Sequence, residues 1–314
     1  MKAIGIVTDS HSSISQEEAE NLGIFVLPMP FYIDGECFYE GVTLSKEEFF
    51  ERQEAGAEIA TSQPSPAEVM GIWEQALLEF EQILYMPLSS GLSGSYATAA
   101  AMAQDEKYAG RVIVVDHGQV ATPLHQMVLD TLELIEVGRS AKEIKTILEE
   151  ARNHMMIYIG VQTLEYLKRG GRITPAAAAL GSVFHIKPVL RLDVGKLDSY
   201  KKCHGFIKAR KTMLEAMRHD FETRFHDAYE MGALHLLAAS SGTEEETKEW
   251  VKEVEDAFPG MHVMCDYLSL GISCHTGSGA LGIGCAVKPE FVSRKRELEE
   301  RQIIQPKAKG LKKQ

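Results

Sequence analysis

The sequence predicts an α/β fold in two domains: an N-terminal, doubly wound, mostly parallel sheet with helices on both faces, and a C-terminal α/β domain. A chain of 314 residues exceeds the usual size of one domain. From residue 3 onward, short apolar runs alternate with capped helical segments, as in a sheet whose parallel strands are connected by helices. A second set of strands and helices begins near residue 158. We expect an N-terminal domain over 1–155, a C-terminal domain over 156–288, and a charged helix with a basic tail over 289–314.

The composition and charge of the chain argue against several classes of function. A formal net charge of -12 argues against nucleic-acid binding, which needs a basic surface. No apolar run approaches the roughly 18 residues of a membrane span, so no stable membrane insertion is expected. The N-terminus is too quickly polar for a signal peptide, and the five scattered cysteines contain no CxxC pair, which favours reduced thiols in a cytoplasmic protein. No cluster of His, Asp or Glu has metal-ligand spacing, so we expect no metal and no other cofactor.

The first elements follow from short local patterns. The run at 3–8 is typical of a strand buried on both faces, and it ends in the polar cluster at 9–13. A second apolar run covers 24–32, and Asp34-Gly35-Glu36 predicts a hairpin turn. Pairs of Ser or Thr with Glu three residues later predict helix starts after Ser15, Ser45, Ser65, Ser140 and Thr243.

The stretch 85–101 is the centre of the predicted N-terminal domain. An apolar strand ends at Met86, a Ser/Gly turn covers 89–95, and an Ala-rich helix follows. Backbone N–H groups and hydroxyls gather at such a helix N-terminus and bind an anion, whether phosphate, sulfate or carboxylate. Asp9-Ser10 and Thr61-Ser62 follow two other predicted strands. Because ligands bind at the carboxyl ends of strands in an open α/β sheet, we expect these loops to converge on one site.

The second half predicts further elements in order. An Ala-rich helix runs from Pro175 to Leu180, a strand hairpin covers 184–202, a basic helix covers 208–217 and a strand covers 233–239. A Gly/Ser-rich loop carries His275 before a final apolar run to Val287. The tail after Glu300 is expected to be solvated and loose.

Several interpretations of the candidate residues remain open from the residues alone. Ser93 could be a nucleophile, although the sequence around it matches only part of G-x-S-x-G. Spacing does not assign it a histidine from among His117, His185 and His275. The same turn could simply cap a helix, and His275 could face a site. Asp9 and Asp116 could cap loop backbone or touch a ligand, whereas His117 and His185 are more typical of structural histidines.

Five short motifs occur in this sequence, and their order and spacing together are specific for one protein family, although each motif alone is not. They are Thr8-Asp9-Ser10, Thr61-Ser62-Gln63-Pro64-Ser65, Ser89-Ser90-Gly91-Leu92-Ser93-Gly94, the run from Leu164 to Ile173, and Ile186-Lys187-Pro188-Val189-Leu190. From residue 3 to about 287 the chain resembles the DegV family of bacterial fatty-acid-binding proteins.

The resemblance implies a carrier, not an enzyme. One long-chain fatty acid would lie in a tunnel between the domains, and a separate fatty acid kinase would phosphorylate its carboxylate to an acyl phosphate for phospholipid synthesis. The residues matching the family's carboxylate site are Thr61, Ser93 and His275, the last on a closing loop. Supporting loop positions are Ser62, Gly94 and Ser10, and positions facing the kinase or phosphate are Arg172, Lys202 and Lys208.

This chain departs from the family at His117, where a Ser is usual, and at His204, where an Arg is usual; the second departure concerns partner docking. Burying an acyl chain of about 16 carbons, at roughly 0.8 kcal/mol per methylene, contributes a favourable free energy of about 12 kcal/mol before any costs of binding. The acyl chain would therefore dominate the affinity, and the carboxylate would set the orientation of the ligand. The alternatives are a serine hydrolase or phosphotransferase using Ser93, or a site for another small carboxylate or phosphate.

Overall fold

The structure, a computed structural model, describes residues 2–179, 186–193 and 195–309, with backbone alone from residue 300 onward. The strands are β1 (Lys2–Asp9), β2 (Phe25–Leu27), β3 (Pro30–Ile33), β4 (Glu36–Tyr39), β5 (Ile59–Thr61), β6 (Phe80–Met86), β7 (Val112–Val114), β8 (Met155–Gly160), β9 (Ile186–Leu192), β10 (Asp198–His204), β11 (Leu234–Ser240), β12 (Val263–Tyr267) and β13 (Leu281–Val287). The helices are α1 (Gln16–Leu22), α2 (Lys46–Glu54), α3 (Pro66–Glu79), α4 (Ser95–Met102), α5 (Thr122–Glu136), α6 (Ala141–Ala151), α7 (Glu165–Gly170), α8 (Pro175–Ala178), α9 (Phe206–Glu222), α10 (His226–Glu230), α11 (Glu244–Ala257), α12 (Leu270–Thr276) and α13 (Pro289–Lys309).

The N-terminal half is built on a four-stranded parallel sheet in the order β2-β1-β6-β7. Alternate residues of β1 enter different cores: Ile6 packs in a cluster with α5 and α6, and Val7 packs in a cluster with α3 and α4. Both faces of the sheet are therefore covered by helices, which explains the continuous apolar runs of its strands. The predicted doubly wound α/β fold is confirmed.

A separate three-stranded antiparallel sheet, in the order β4-β3-β5, lies outside that frame. Asp34 and Gly35 connect β3 to β4 with positive φ angles of 52° and 83°, which confirms the predicted hairpin turn. Thr61 is the last residue of β5, so the expectation that it follows a strand of the parallel sheet was wrong. The run at 59–61 is short and only half-buried, and it pairs antiparallel with β3.

The C-terminal half contains a six-stranded sheet in the order β10-β9-β8-β13-β11-β12, antiparallel except for the β11–β12 pair. One face packs against α9 and α11, with Trp250 and Phe221 fully or almost fully buried there. The other face carries Ile157, Ile159 and Leu237 and faces the start of α5. That second face forms part of the candidate site.

Most local expectations match the observed elements. Complete capping boxes are present at Ser65, Ser140 and Thr243, whereas Ser15 and Ser45 cap their helices without the reciprocal Glu contact. The hairpin of β9 and β10 is confirmed. Helix α13 continues past Glu300 to Lys309, where a loose tail was expected. Leu180 and His185 lie outside the described residues.

The proposed boundary at residue 155 coincides with the first residue of β8, and the division into domains stays a prediction. Within the part of the chain that the structure describes, no helix is long and apolar enough to cross a bilayer.

Candidate functional site

A cavity lies between the open face of the six-stranded sheet, the start of α5, α12 and the loops that follow β1, β5 and β6. It holds about 990 Å³ of empty space with its mouth included, within the size range of sites for small-molecule ligands. Most of its wall is apolar, and the larger apolar side chains are Met29, Leu88, Leu92, Val120, Ile157, Ile159, Leu167, Leu192, Leu197, Leu237, Leu268, Ile272 and Ile283. The wall therefore suits a long apolar ligand.

The same cavity is lined by a small set of polar side chains that could receive an anionic group. They come from segments distant in sequence, and they are His11, Thr61, Ser62, Ser93, Thr122, Arg172, His275 and Thr276. Among the described residues, no group of three or more His, Cys, Asp or Glu side chains is arranged to hold a metal ion.

Thr61 and His275 are in direct contact at this polar end. The Thr61 hydroxyl oxygen lies 2.9 Å from His275 Nε2. Burial lowers the pKa of His275 to about 3, and Arg172 and His11 act in the same direction, so this imidazole is neutral at physiological pH. His275 lies on α12, and the expectation that it lies in a loop was wrong. Ser269 is the N-cap of this helix, its carbonyl accepts the Ser273 N–H, and the helix continues to Thr276 before Gly277 ends it.

The backbone of Gly170 constrains the other side of the His275 ring. A Cβ atom at residue 170 would lie only 2.0 Å from His275 Nδ1, so glycine is required there. This nitrogen is buried and has no hydrogen-bond partner among the described residues. An unprotonated Nδ1 leaves the proton on Nε2, which then donates to Thr61 and frees the threonine hydroxyl hydrogen for a ligand.

Ser93 lies in the turn between β6 and α4. Its hydroxyl oxygen is 2.9 Å from the Ser95 hydroxyl and accepts a hydrogen bond from the Ser95 N–H at 3.2 Å. Within the described residues no histidine nitrogen lies within hydrogen-bond distance of Ser93, so the geometry supplies no base for a nucleophilic serine. Gly94 occupies the N-cap of α4, where no side chain caps the helix.

The network beside Ser90 holds the turn in place. Arg152 contacts the Asp116 carboxylate and also donates to the Ser90 hydroxyl at 2.9 Å. Asp116 thus has an ion-pair role. His117 is buried and its Nδ1 accepts from the Gln119 N–H, which is the structural role expected of it.

The remaining predicted residues divide into two sets. Ser62 and Arg172 line the cavity, and Ser10 supports it by accepting a hydrogen bond from the Met29 N–H at 3.1 Å. Lys202 and Lys208 are exposed and do not line it. Their role toward a partner stays a prediction.

His11 is the site residue that sequence reasoning missed. It belongs to the polar cluster after β1, which indicated a site without distinguishing one side chain from another. In the structure it is 7% exposed and lines the cavity with Thr61 and His275. Its neighbour Asp9 caps loop backbone, accepting from the N–H groups of His11 and Leu88.

The two halves of the chain are in contact close to residues that line the cavity. A Cβ atom at Gly91 would lie 2.3 Å from the Cα of Gly195, which belongs to the loop between β9 and β10. This backbone approach places the Ser89–Ser95 turn against the C-terminal sheet. The cavity therefore opens between elements from both halves.

Comparison with known proteins agrees with this architecture. A family model described as "Uncharacterised protein, DegV family" matches residues 3–288. The chain belongs to the DegV family. A DegV domain-containing protein of Deinococcus radiodurans is 32% identical over 283 residues, covering 90% of this chain and 97% of that protein. One of Caldanaerobacter subterraneus subsp. tengcongensis is 30% identical over 290 residues, covering 90% and 98%.

Solved structures of DegV proteins share the fold. A fatty-acid-binding DegV family protein from Thermus thermophilus is 32% identical, with a TM-score of 0.80 over 91% of this chain and 99% of that chain. DegV from Bacillus subtilis, a fatty acid binding protein, is 27% identical, with a TM-score of 0.77 over 91% and 100%. Fatty acid binding is thus a property of DegV proteins with this fold.

Proposed function

We propose that this chain is a carrier that binds one long-chain fatty acid in the cavity and presents its carboxylate to a separate fatty acid kinase. The observation that carries the proposal is an apolar cavity with hydroxyl and imidazole groups gathered at one part of its wall. The fatty acid binding of similar DegV proteins supports the same class of ligand.

The carboxylate is assigned to the hydroxyls of Thr61 and Ser93, and His275 joins the same group by orienting the Thr61 hydroxyl. Neutral His275 donates to Thr61, so the Thr61 hydroxyl turns its own hydrogen toward the ligand. Hydrogen bonds to a charged group contribute roughly 1.5–3 kcal/mol each. Hydroxyl donors orient the carboxylate while it stays ionised, as attack on a phosphoryl donor requires.

The acyl chain is assigned to the open face of the six-stranded sheet. Ile157, Gly284 and Leu237 are paired across neighbouring strands, and Ile159 and Gly282 form the next row toward α12. Successive rows are about 7 Å apart along a strand, so the chain would pass His275 first and the Ile157 row later. Burying the chain supplies most of the affinity.

Presentation to a kinase is the part of the proposal that concerns the basic residues on the C-terminal half of the chain. Arg172 lies in the cavity wall, and Lys202 and Lys208 are exposed on the same half of the chain. These cations would face the anionic nucleotide of the partner. The protein itself is proposed to catalyse no reaction.

The test is fatty acid binding by the wild-type chain and by Thr61→Val and Ser93→Ala. Native mass spectrometry identifies the bound acid, and titration measures the dissociation constant. We expect each variant to weaken binding of the acid roughly tenfold to hundredfold and to leave binding of the matching fatty alcohol nearly unchanged. Thr146→Val, at an exposed hydroxyl on α6 that donates to Lys142, is the matched control.

The second readout adds a fatty acid kinase and ATP and traps acyl phosphate with hydroxylamine. We expect product only when the wild-type carrier is present. A chain that rejects every fatty acid would overturn the proposal, whereas binding without acyl phosphate would overturn only the kinase step. Covalent acylation of Ser93 would favour the hydrolase instead.

A further inference from the structure

His11 and Asp9 form a buried pair at the polar end of the cavity. Asp9 is fully buried, and its Oδ1 lies 3.2 Å from His11 Nδ1 and accepts the His11 backbone N–H at 2.9 Å. Its other oxygen accepts the Leu88 N–H at 2.7 Å. Because the carboxylate has no free hydrogen to give, His11 Nδ1 carries a proton and donates it to Asp9.

The opposite side of the His11 ring faces the ligand cavity. The Nε2 atom lies close to Gly271, also in the cavity wall, where an added Cβ would approach it to 2.7 Å. Among the described residues, the side-chain hydrogen bonds of His11 run only to Asp9. Nε2 is therefore available to a ligand.

The backbone around His11 is held in one conformation. Its carbonyl accepts the Ala121 N–H at 2.8 Å, and Ala121 has a positive φ of 54°, which is unfavourable for alanine. Ser13, two residues on, has a φ of 66°. Backbone strain of this kind is retained where the surrounding structure enforces it, and it is concentrated at functional sites.

The number of protons on the His11 imidazole determines whether Nε2 repels or binds a carboxylate. A neutral imidazole whose only proton is on Nδ1 offers a lone pair at Nε2, which would repel a carboxylate. A second proton converts Nε2 into a donor, and Asp9 then stabilises the resulting imidazolium. Binding a carboxylate and binding a proton would be coupled.

We propose that His11 is a ligand-binding residue of the head-group site and takes up one proton from solvent when a fatty acid carboxylate binds. This rests on the proposed function. The imidazolium Nε2–H donates to the carboxylate while Nδ1–H remains on Asp9. No covalent bond changes, and the proton returns to solvent on release.

Other titratable groups face His11 from the elements packed against it. Asp9 is the last residue of β1, Glu40 follows β4, and His275 is on α12; Arg172 shares the cavity. Burial raises the pKa of Glu40 to about 7, whereas the backbone hydrogen bond at Leu270 and the electrostatic influence of His11 and Lys46 act in the opposite direction. Glu40 and His275 are thus the other residues that could take up the proton in place of His11 when the fatty acid binds.

The test is isothermal titration of a fatty acid into the full chain at pH 8 in buffers of different ionisation enthalpy. The dependence of the observed heat on the buffer measures protons taken up. We expect about one proton per fatty acid for the wild type, because the carboxylate needs a hydrogen at Nε2 while Nδ1–H stays on Asp9. His11→Gln keeps an amide donor and should bind the acid with no uptake. His11→Phe should weaken acid binding roughly tenfold to hundredfold but spare the fatty alcohol.

His262→Gln, at an exposed histidine, is the matched control and should keep the wild-type uptake. Thermal unfolding of each variant separates lost binding from lost folding. Wild-type binding without proton uptake, or uptake that persists in His11→Gln, overturns the assignment. Persistence in His11→Gln with loss in Glu40→Gln or His275→Gln places the proton on that residue instead. A wild-type chain that binds no fatty acid refutes the proposed function, which is a different result.

Discussion

At the scale of single residues, the candidate site depends on close contacts that fix the orientation of the His275 ring. His275 contacts Thr61 through one ring nitrogen and the Gly170 backbone through the other. The ring therefore has one orientation, and its neutral state follows from burial. Thr61, His275 and Gly170 act as one unit, so a change at Gly170 should alter head-group binding although its own side chain is absent.

We expect Gly170→Ala to weaken fatty acid binding at least tenfold. A Cβ atom 2.0 Å from His275 Nδ1 must displace the imidazole and break its contact with Thr61. Titration of the acid and of the matching alcohol checks this, because loss of head-group orientation should affect the acid more. Gly71→Ala, far from any neighbouring atom, is the control; equal binding by Gly170→Ala and the wild type would contradict the role of this contact.

At the scale of elements, helix α3 combines a strong N-terminal capping sequence with a glycine in its interior that lowers its stability. Helix α3 begins with Ser65 at the N-cap, Pro66 at the first position and a complete capping box with Glu68. Its buried face carries Trp73, which packs edge-on against Tyr85 of β6 at 5.4 Å between ring centroids. Gly71 interrupts the exposed face of the same helix.

We expect Gly71→Ala to stabilise the chain by about 0.5–1 kcal/mol, since glycine lowers helix stability by that amount. Apart from the adjacent residues and the nearby backbone of α3 itself, no atom lies within 4 Å of the added methyl group, so no clash offsets the gain. Urea unfolding measured by circular dichroism tests the change in unfolding free energy. Ser65→Ala should act in the opposite direction by about 1 kcal/mol through loss of the cap. A destabilised Gly71→Ala would mean that α3 is not helical at this position.

At the scale of the whole molecule, one core cluster includes residues of both sheets, such as Ile6 and Leu84 from the parallel sheet and Tyr158 and Ile283 from the other. Polar contacts join the halves as well. His125 of α5 lies 3.3 Å from Glu18 of α1 and 3.1 Å from Asp266 of β12. A different buried histidine, His117, makes the stability of the chain depend on pH, because burial lowers its pKa.

We expect the contribution of His117 to the free energy of unfolding to fall as the pH is lowered from about 6.5 to 4. Burial lowers the pKa of His117 to about 4, so in this window the unfolded chain binds a proton that the folded chain does not. The stability that neutral His117 contributes is fully present above the pKa that this histidine has in the unfolded chain, and it is lost as the pH falls toward the pKa in the folded chain. The effect is on the order of 3 kcal/mol.

His117→Asn keeps an acceptor for the Gln119 N–H but removes the titration. Denaturant unfolding across the window should show a shallower pH dependence for this variant than for the wild type. Exposed His262→Asn serves as the control and should keep the wild-type slope. Parallel curves for His117→Asn and the wild type would show that His117 does not titrate differently on unfolding.

The sequence by itself determined the elements whose signals are local: the strands of the parallel sheet, the hairpin at Asp34-Gly35 and the capped helices α3, α6 and α11. It also indicated, through motif resemblance, a family with a ligand between two domains. Only the tertiary structure decided that Thr61 ends a strand of a separate sheet, that His275 lies on a helix and that His11 lies beside them. Capping and alternation act over a few residues, whereas Thr61 and His275 are 214 positions apart, and their meeting depends on how the sheets pack.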